Sequence, residues 1–366
     1  MDILSTIARH FAHKGHITDI REYGSGNIND TYLITLDSPQ HGKIILQRIN
    51  QNVFPSPEWI MRNMRTFLEH LDARLRREVS DDGRRWEMPR IVPTEAGEDY
   101  FVDGAGEFWR ALTFIEGAQT YPYIRNPAHA REVGYALGKF HSLISDLEPD
   151  KLYDTLKGFH IMPQYLRHYD EVLAQPRVSL TGADVVYCLH VVDEAREWGV
   201  LLEDALAAGK LRLQAIHGDP KVDNIMIDPA TGQAVSLIDL DTVKPGLIHY
   251  DIGDCLRSGC NPLGEEPDDI DGVRFDTDLC RAILEGYLPE ARRFLTANDY
   301  AYLYDSVRRL AFEMGLRFFT DYLEGDVYFK VRDEGHNLLR AVVQFRLLES
   351  IEACATDIRT IIDDLK

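Results

Sequence analysis

His217-Gly218-Asp219-Pro220-Lys221-Val222-Asp223-Asn224, followed by Ile238-Asp239-Leu240-Asp241, places a carboxylate, an amide and a second carboxylate within one short region. Transfer of a phosphoryl group to a hydroxyl needs few groups but needs them placed. A carboxylate must take the hydroxyl proton, and an amide oxygen with another carboxylate must hold a metal on the phosphates. Asp219, Asn224 and Asp239 supply that set, with Asp219 as base and Asn224 and Asp239 as metal ligands. Lys221, two residues after the base, is a catalytic candidate that can balance charge on the transferring group, although a solvated lysine is the plainer reading.

These groups must be carried to one place. The runs Ile225 to Ile227 and Val235 to Ile238 flank the turn Asp228-Pro229-Ala230-Thr231-Gly232 and predict a hairpin that returns Asp239 to the end where Asn224 begins. Ahead of it, the first hundred residues alternate strand and turn signals after a short amphipathic helix from Ile3 to Ala12. Strands are predicted over Thr18 to Tyr23, Thr31 to Leu36 and Lys43 to Ile49, with Gly24-Ser25-Gly26 as the first turn. A helix follows over Trp59 to Arg77, then strands Tyr100 to Val102 and Phe108 to Ile115 around Asp103-Gly104-Ala105-Gly106. From Asn126 the pattern is helical: Ala130 to Leu147, Ala183 to Ala207, and Phe294 to the C-terminus apart from a loop near Gly325 to Asn337. The change near Glu116 divides the chain into 1–115, a small antiparallel-sheet lobe, and 116–366, a larger mainly helical lobe, an α+β architecture.

With 366 residues, 45% hydrophobic, 27% charged and no low-complexity tract, the chain has ample material for a core. Forty basic against sixty acidic residues give a net charge of -20, which disfavours nucleic acid and anionic membrane as partners. A small polyanion such as a nucleotide sees only its own cleft, so a local cationic site is still allowed. Five scattered cysteines without a C-x-x-C pair and no apolar run long enough to span a bilayer predict a cytoplasmic, reduced protein, expected to be a monomer.

The spacing His-x-Asp-x-x-x-x-Asn is that of the kinase catalytic loop, with Gly218 where protein kinases carry arginine. Together with IDLD, the YGSGNIND turn, the ILQRIN strand and MGLRFFTDYLEGDVYF, it resembles the aminoglycoside phosphotransferase-like kinases and, within them, the N-acetylhexosamine 1-kinases. The resemblance runs from Tyr23 to the helices past Arg317. It implies a two-lobed, protein-kinase-like fold and ATP- and Mg2+-dependent phosphorylation of the C1 hydroxyl of N-acetylglucosamine or N-acetylgalactosamine. It makes Asp219 the base, Asn224 and Asp239 the Mg2+ ligands, and Arg317 and Tyr328 contacts to a small-molecule sugar substrate. Gly24 and Gly26 then belong to the nucleotide-binding turn. Two positions depart from the pattern: Asn27 stands where a sugar-touching histidine is associated with these kinases, and the third strand has Gln47 and Arg48 where a phosphate-binding lysine is common. Either Gln47 donates as a neutral group or Arg48 reaches round, since neighbouring strand residues face opposite sides.

Other signals are weaker. Gly24-Ser25-Gly26-Asn27 lacks the third glycine of a phosphate loop and reads equally as a hairpin turn. His10, His13 and His16 recur without a nearby carboxylate and read as an exposed face. Phe312, Leu316, Phe319 and Leu323 form a core stripe to which Arg317 does not belong. Asp251, soon after the metal strand, reads as a structural residue that holds the catalytic loop. Kinases of aminoglycosides, choline or homoserine are the alternative within the superfamily. A non-catalytic nucleotide- or sugar-binding regulator is the alternative outside it.

Overall fold

The structure is a computed structural model and describes residues 3–11, 15–24, 28–38, 42–77, 83–267 and 269–366. Gly26, Asn27 and His13 lie outside the described residues.

The first part opens with helix α1 (Ile3–Ala8) and strands β1 (Ile17–Glu22), β2 (Asp30–Leu36) and β3 (Lys43–Ile49). Helix α2 (Pro57–Arg77) and strands β4 (Ile91–Val92), β5 (Phe101–Val102) and β6 (Phe108–Thr113) complete it. The strands form one antiparallel sheet in the order β1-β2-β3-β6-β4, with β5 also on β6. Alternation gives each face its own task. Ile34, Leu36, Ile44, Leu46, Val92, Trp109 and Ala111 pack with Ile7, Ala8 and Phe11 of the N-terminal segment. On the opposite face Ile45, Ile91 and Leu112 join the main core together with Met64, Phe67, Leu68 and Leu71 of α2. Thr31, Gln47 and Arg110 are in register across β2, β3 and β6, and by parity with Ile45 and Leu112 they share this second face.

The second part is mainly helical: α3 (Pro127–Ile144), α4 (Met162–Ala174), α5 (Ala183–Gly199) and α6 (Leu201–Ala207) come first. Four short strands follow: β7 (Gln214–Ile216), β8 (Ile225–Ile227), β9 (Ala234–Leu237) and β10 (Lys244–Gly246). Helices α7 (Ile248–Gly259), α8 (Thr277–Ala291), α9 (Ala297–Ala301), α10 (Leu303–Glu324), α11 (His336–Ala353) and α12 (Ala355–Leu365) complete the chain. β8 and β9 are the expected hairpin, and β7 pairs with β10. Helices α3 and α8 approach closely enough that a Cβ at Gly134 would stand 1.9 Å from the Ile283 carbonyl oxygen. Only glycine fits there. Helix α10 runs through the core with Val307, Leu310, Ala311, Phe312, Leu316 and Phe319 fully buried.

Several expected elements need correction. The helix expected over Ala183 to Ala207 breaks at Val200, where the backbone leaves helical geometry (φ -92°, ψ 5°) and Gly199 lies against the Phe312 ring. The N-terminal helix ends at Ala8 instead of Ala12. The strands β7 and β10 were not legible: three residues each, one of them Lys-Pro-Gly, carry no alternation, and their pairing is set by the tertiary structure.

Candidate active site

The hairpin delivers its two ends as the sequence requires. Ile225 pairs with Leu237, and the Ile238 N–H donates to the Asn224 carbonyl at 2.8 Å, so Asn224 and Asp239 stand at the same end. The Asn224 side-chain amide donates to the Asp219 carbonyl at 2.8 Å, and a longer 3.4 Å contact reaches the Asp219 carboxylate. Asp219, Asn224 and Asp239 are thereby brought together. Asp239 is a non-glycine residue in the left-handed region (φ 65°, ψ 61°), a conformation that costs roughly 1–3 kcal/mol and tends to be kept where function needs it.

His217 joins the catalytic loop to the hairpin. Its Nε2 bonds the Ile238 carbonyl at 2.9 Å, and its Nδ1 accepts the Asp219 N–H at 3.3 Å. Burial lowers its pKa, which favours the neutral ring that this donor and acceptor pairing requires. Gly218 has φ 90°, and a Cβ there would meet the Thr242 carbonyl at 2.6 Å. The loop has no room for the arginine of protein kinases at that position.

Asp251 acts on the same loop. Its carboxylate accepts the His217 N–H at 2.7 Å, the Gly218 N–H at 2.8 Å and a bond from His141 at 2.8 Å. Burial alone would raise its pKa, but His141 and these donors outweigh it and hold the carboxyl below its ordinary value. From the other side, His160 bonds the Gly218 carbonyl at 2.7 Å and Glu313 of α10 at 2.8 Å.

Charge at the site is concentrated. Asp239 is exposed at the hairpin end, and the protein packed around its carboxyl, with the like charges of Asp241 and Asp219, raises its pKa against the opposing charges of Lys221 and Arg110. A carboxylate among carboxylates is relieved by a cation, and the all-oxygen donors of Asn224 and Asp239 suit a hard dication such as Mg2+. Among the described residues no cluster of three or more His, Cys, Asp or Glu could cage a metal unaided. Lys221 lies 3.9 Å from Asp219 and 3.7 Å from Asp223, and Asp219 is the chief cause of its raised pKa.

Gln47 and Arg48 separate as strand alternation demands. Arg48 pairs with Asp30 and reaches Glu107 at 3.6 Å on the face that carries α1. The expectation that Arg48 could reach the nucleotide is therefore corrected. Gln47 lies on the face toward the hairpin, where its Nε2 donates to Thr31 at 3.0 Å and its Oε1 accepts from Arg110 Nε at 2.9 Å. Arg110 continues to Asp241 at 2.5 Å, and Asn29, just past the glycine turn, donates to the same carboxylate at 2.7 Å. Gly24 begins that turn with φ 82°.

Arg317 and Tyr328 line one cavity of about 420 Å³ with Phe159, Tyr165, Asp321 and Phe329. The Arg317 guanidinium lies 5.2–5.4 Å from the ring centres of Phe159, Tyr165 and Phe329. Among the described residues no carboxylate forms an ion pair with it. Asp219 does not line the cavity, but its charge is felt by Arg317, and Phe159 adjoins the His160 that holds Gly218. Besides Arg110, sequence reasoning missed Asp321. Its carboxylate accepts the backbone N–H groups of Val327, Tyr328 and Phe329 at 2.8–2.9 Å and the Asn337 side chain at 2.9 Å. It fixes the loop that carries Tyr328, and nothing in the spacing of a lone aspartate near a helix end announces this.

A small antiparallel sheet over a helical lobe, with a loop and hairpin that bring Asp219, Asn224 and Asp239 together, is the arrangement that the catalytic-loop spacing predicts. The chain belongs to the phosphotransferase enzyme family, whose model matches residues 19–287. In structure it is similar to a microcompartment-associated aminopropanol kinase (TM-score 0.64, 18% identity, 98% of each chain covered). It is also similar to an aminoglycoside phosphotransferase from Alicyclobacillus acidocaldarius (TM-score 0.66, 17% identity, 100% of this chain and 98% of that one). A third is an amicoumacin kinase in complex with AMP-PNP and Ca2+ (TM-score 0.56, 15% identity, 96% of this chain and 92% of that one). At these identities the likeness establishes the two-lobed, protein-kinase-like fold. No helix among the described residues is long and apolar enough to cross a membrane.

Proposed function

We propose that this protein is an ATP-dependent kinase that phosphorylates the anomeric C1 hydroxyl of N-acetylhexosamines. The observation that carries this reading is the cavity beside the catalytic loop, in which a guanidinium with no ion-pair partner among the described residues, its Nη1 resting on Met314 Sδ at 3.4 Å, sits among aromatic rings. Arginine donates to hydroxyl and acetyl oxygens, and aromatic rings cover the apolar face of a sugar. A cationic acceptor fits this cavity poorly. Arg317 itself occupies the ring faces that would hold an ammonium group, Asp321 is engaged by backbone N–H groups, and Glu324 faces His168 at 3.3 Å. The acceptors named for the similar aminopropanol and aminoglycoside enzymes therefore match this cavity less well than a neutral sugar does.

In the mechanism, the Asp219 carboxylate accepts the proton of the C1 hydroxyl as its oxygen attacks the γ-phosphorus of ATP, and ADP leaves. Asn224 and Asp239 would hold Mg2+, which supplies charge neutralisation on the phosphates. Lys221 balances charge on the transferring group. Asp251 and His160 keep the loop in place from opposite sides.

Comparison of N-acetylglucosamine with glucosamine tests this reading, because the second replaces a neutral acetamide by a cation facing Arg317. N-acetylglucosamine or N-acetylgalactosamine should be used at least about tenfold better in kcat/KM, the loss of one or two good hydrogen bonds. Arg317→Ala should shrink that preference. Equal use of the amine, or preference for it, contradicts the sugar assignment.

A further inference from the structure

We propose that Arg110 of β6 is the phosphate-binding cation of the nucleotide site, in the part that a third-strand lysine plays in related kinases. The inference rests on reading the cleft between the sheet and the hairpin as a nucleotide site. Its first support is register: Arg110 stands directly opposite Gln47, one strand over and on the same face. A cation displaced by one strand moves about 5 Å, which the longer arginine side chain can span back. The second support is supply. Among the described residues of β2, β3 and β6, the other basic side chain on this face is Lys43, four residues from Gln47 and paired with Glu116 at 3.2 Å. Arg48 faces away.

The third support is the state of the guanidinium itself. Arg110 is 2% exposed; its Nε is fixed by Gln47 and its Nη2 by Asp241. Its Nη1 is buried and has no hydrogen-bond partner among the described residues. Two arms of the fork thus set the plane and leave the third edge uncommitted, and a buried orphan donor in a native protein calls for an explanation. Asp241 is two residues from Asp239, so the uncommitted edge belongs to a cation that is anchored next to the metal ligands. Gln47 then acts as an orienting acceptor for Arg110, which explains why a glutamine occupies the lysine position: a lysine there would set two cations against each other.

Calorimetric titration of MgATP and of adenosine into the whole protein tests this. Wild type should bind MgATP, and Arg110→Met should weaken that affinity by at least about tenfold while adenosine affinity stays within twofold. Arg110→Met with Gln47→Lys returns a cation to the cleft from β3 and should recover much of the loss. Where Arg110→Met does not fold, Arg110→Lys serves: it keeps a charge for Asp241 but lacks the fork, and should lose three- to tenfold for MgATP with adenosine unchanged. Unchanged MgATP affinity in these variants, or parallel loss of adenosine, overturns the assignment of Arg110 and leaves the nucleotide reading intact. Failure of wild type to bind MgATP overturns both.

Discussion

At the scale of single residues, the sharpest division of labour is between Asp219 and Asp239. Asp219 is half-buried and meets the Asn224 side chain, while Asp239 is exposed and held in strained backbone at the end of the hairpin. Asp219→Asn should keep MgATP affinity and lower turnover by roughly two to four orders of magnitude, the range for a lost general base. Asp239→Asn should instead raise the Mg2+ concentration needed for half-maximal MgATP binding. Steady-state kinetics and Mg2+ titrations on both variants check this, and the reverse pattern would exchange the two roles. The convergence of Asp219, Asn224 and Asp239 was legible because a loop leading into a hairpin must return its two ends to one place. Arg110 and Asp321 were not, because each acts through a partner that only the fold supplies: an arginine in a strand and an aspartate near a helix end look ordinary in sequence.

At the scale of elements, the catalytic loop is suspended between two helices, α7 through Asp251 and α10 through Glu313 and His160. Burial works to raise the Glu313 pKa, but His160 and Arg309 outweigh it and hold the carboxyl at about 2. A carboxyl depressed on folding contributes stability that is present above its unfolded pKa and lost as the pH falls through the folded value. A shift from the ordinary 4.5 to about 2 corresponds to about 3 kcal/mol at neutral pH. Glu313→Gln should therefore destabilise the protein at pH 7, and the gap from wild type should narrow between pH 4.5 and pH 2. Urea unfolding across that range measures it; a gap independent of pH would mean that the ionised carboxylate is not what stabilises the fold. Elements with long periodic patterns, such as α2 and α10, were readable because their apolar stripes face a single core. β7 and β10 were not, since three-residue strands owe their existence to the partner they meet.

At the scale of the whole molecule, a net charge of -20 surrounds a cleft meant for polyanions, and the two are reconciled locally. In the proposed reading, Arg110 from the sheet, Lys221 from the catalytic loop and Arg317 from α10 supply local positive charge among the carboxylates of the site. A small sheet part and a helical part were legible from the change of pattern along the chain; one contact that joins them, Asp241 with Arg110 and Asn29, was not, because its members are more than a hundred residues apart in sequence. The same lobes serve acceptors as different as aminoglycosides and amino alcohols in structurally similar enzymes, so the acceptor must be read from the cavity and settled by reaction. The most direct measurement supplies wild-type protein with MgATP and, in parallel, N-acetylglucosamine, N-acetylgalactosamine, neutral hexoses, kanamycin, choline and homoserine, then follows ADP release and identifies the product by phosphorus-coupled proton NMR. ADP release with an N-acetylhexosamine and a phosphorus-coupled anomeric proton is the predicted result. ADP release with an amine-bearing alcohol instead, and none with any N-acetylhexosamine, would contradict it.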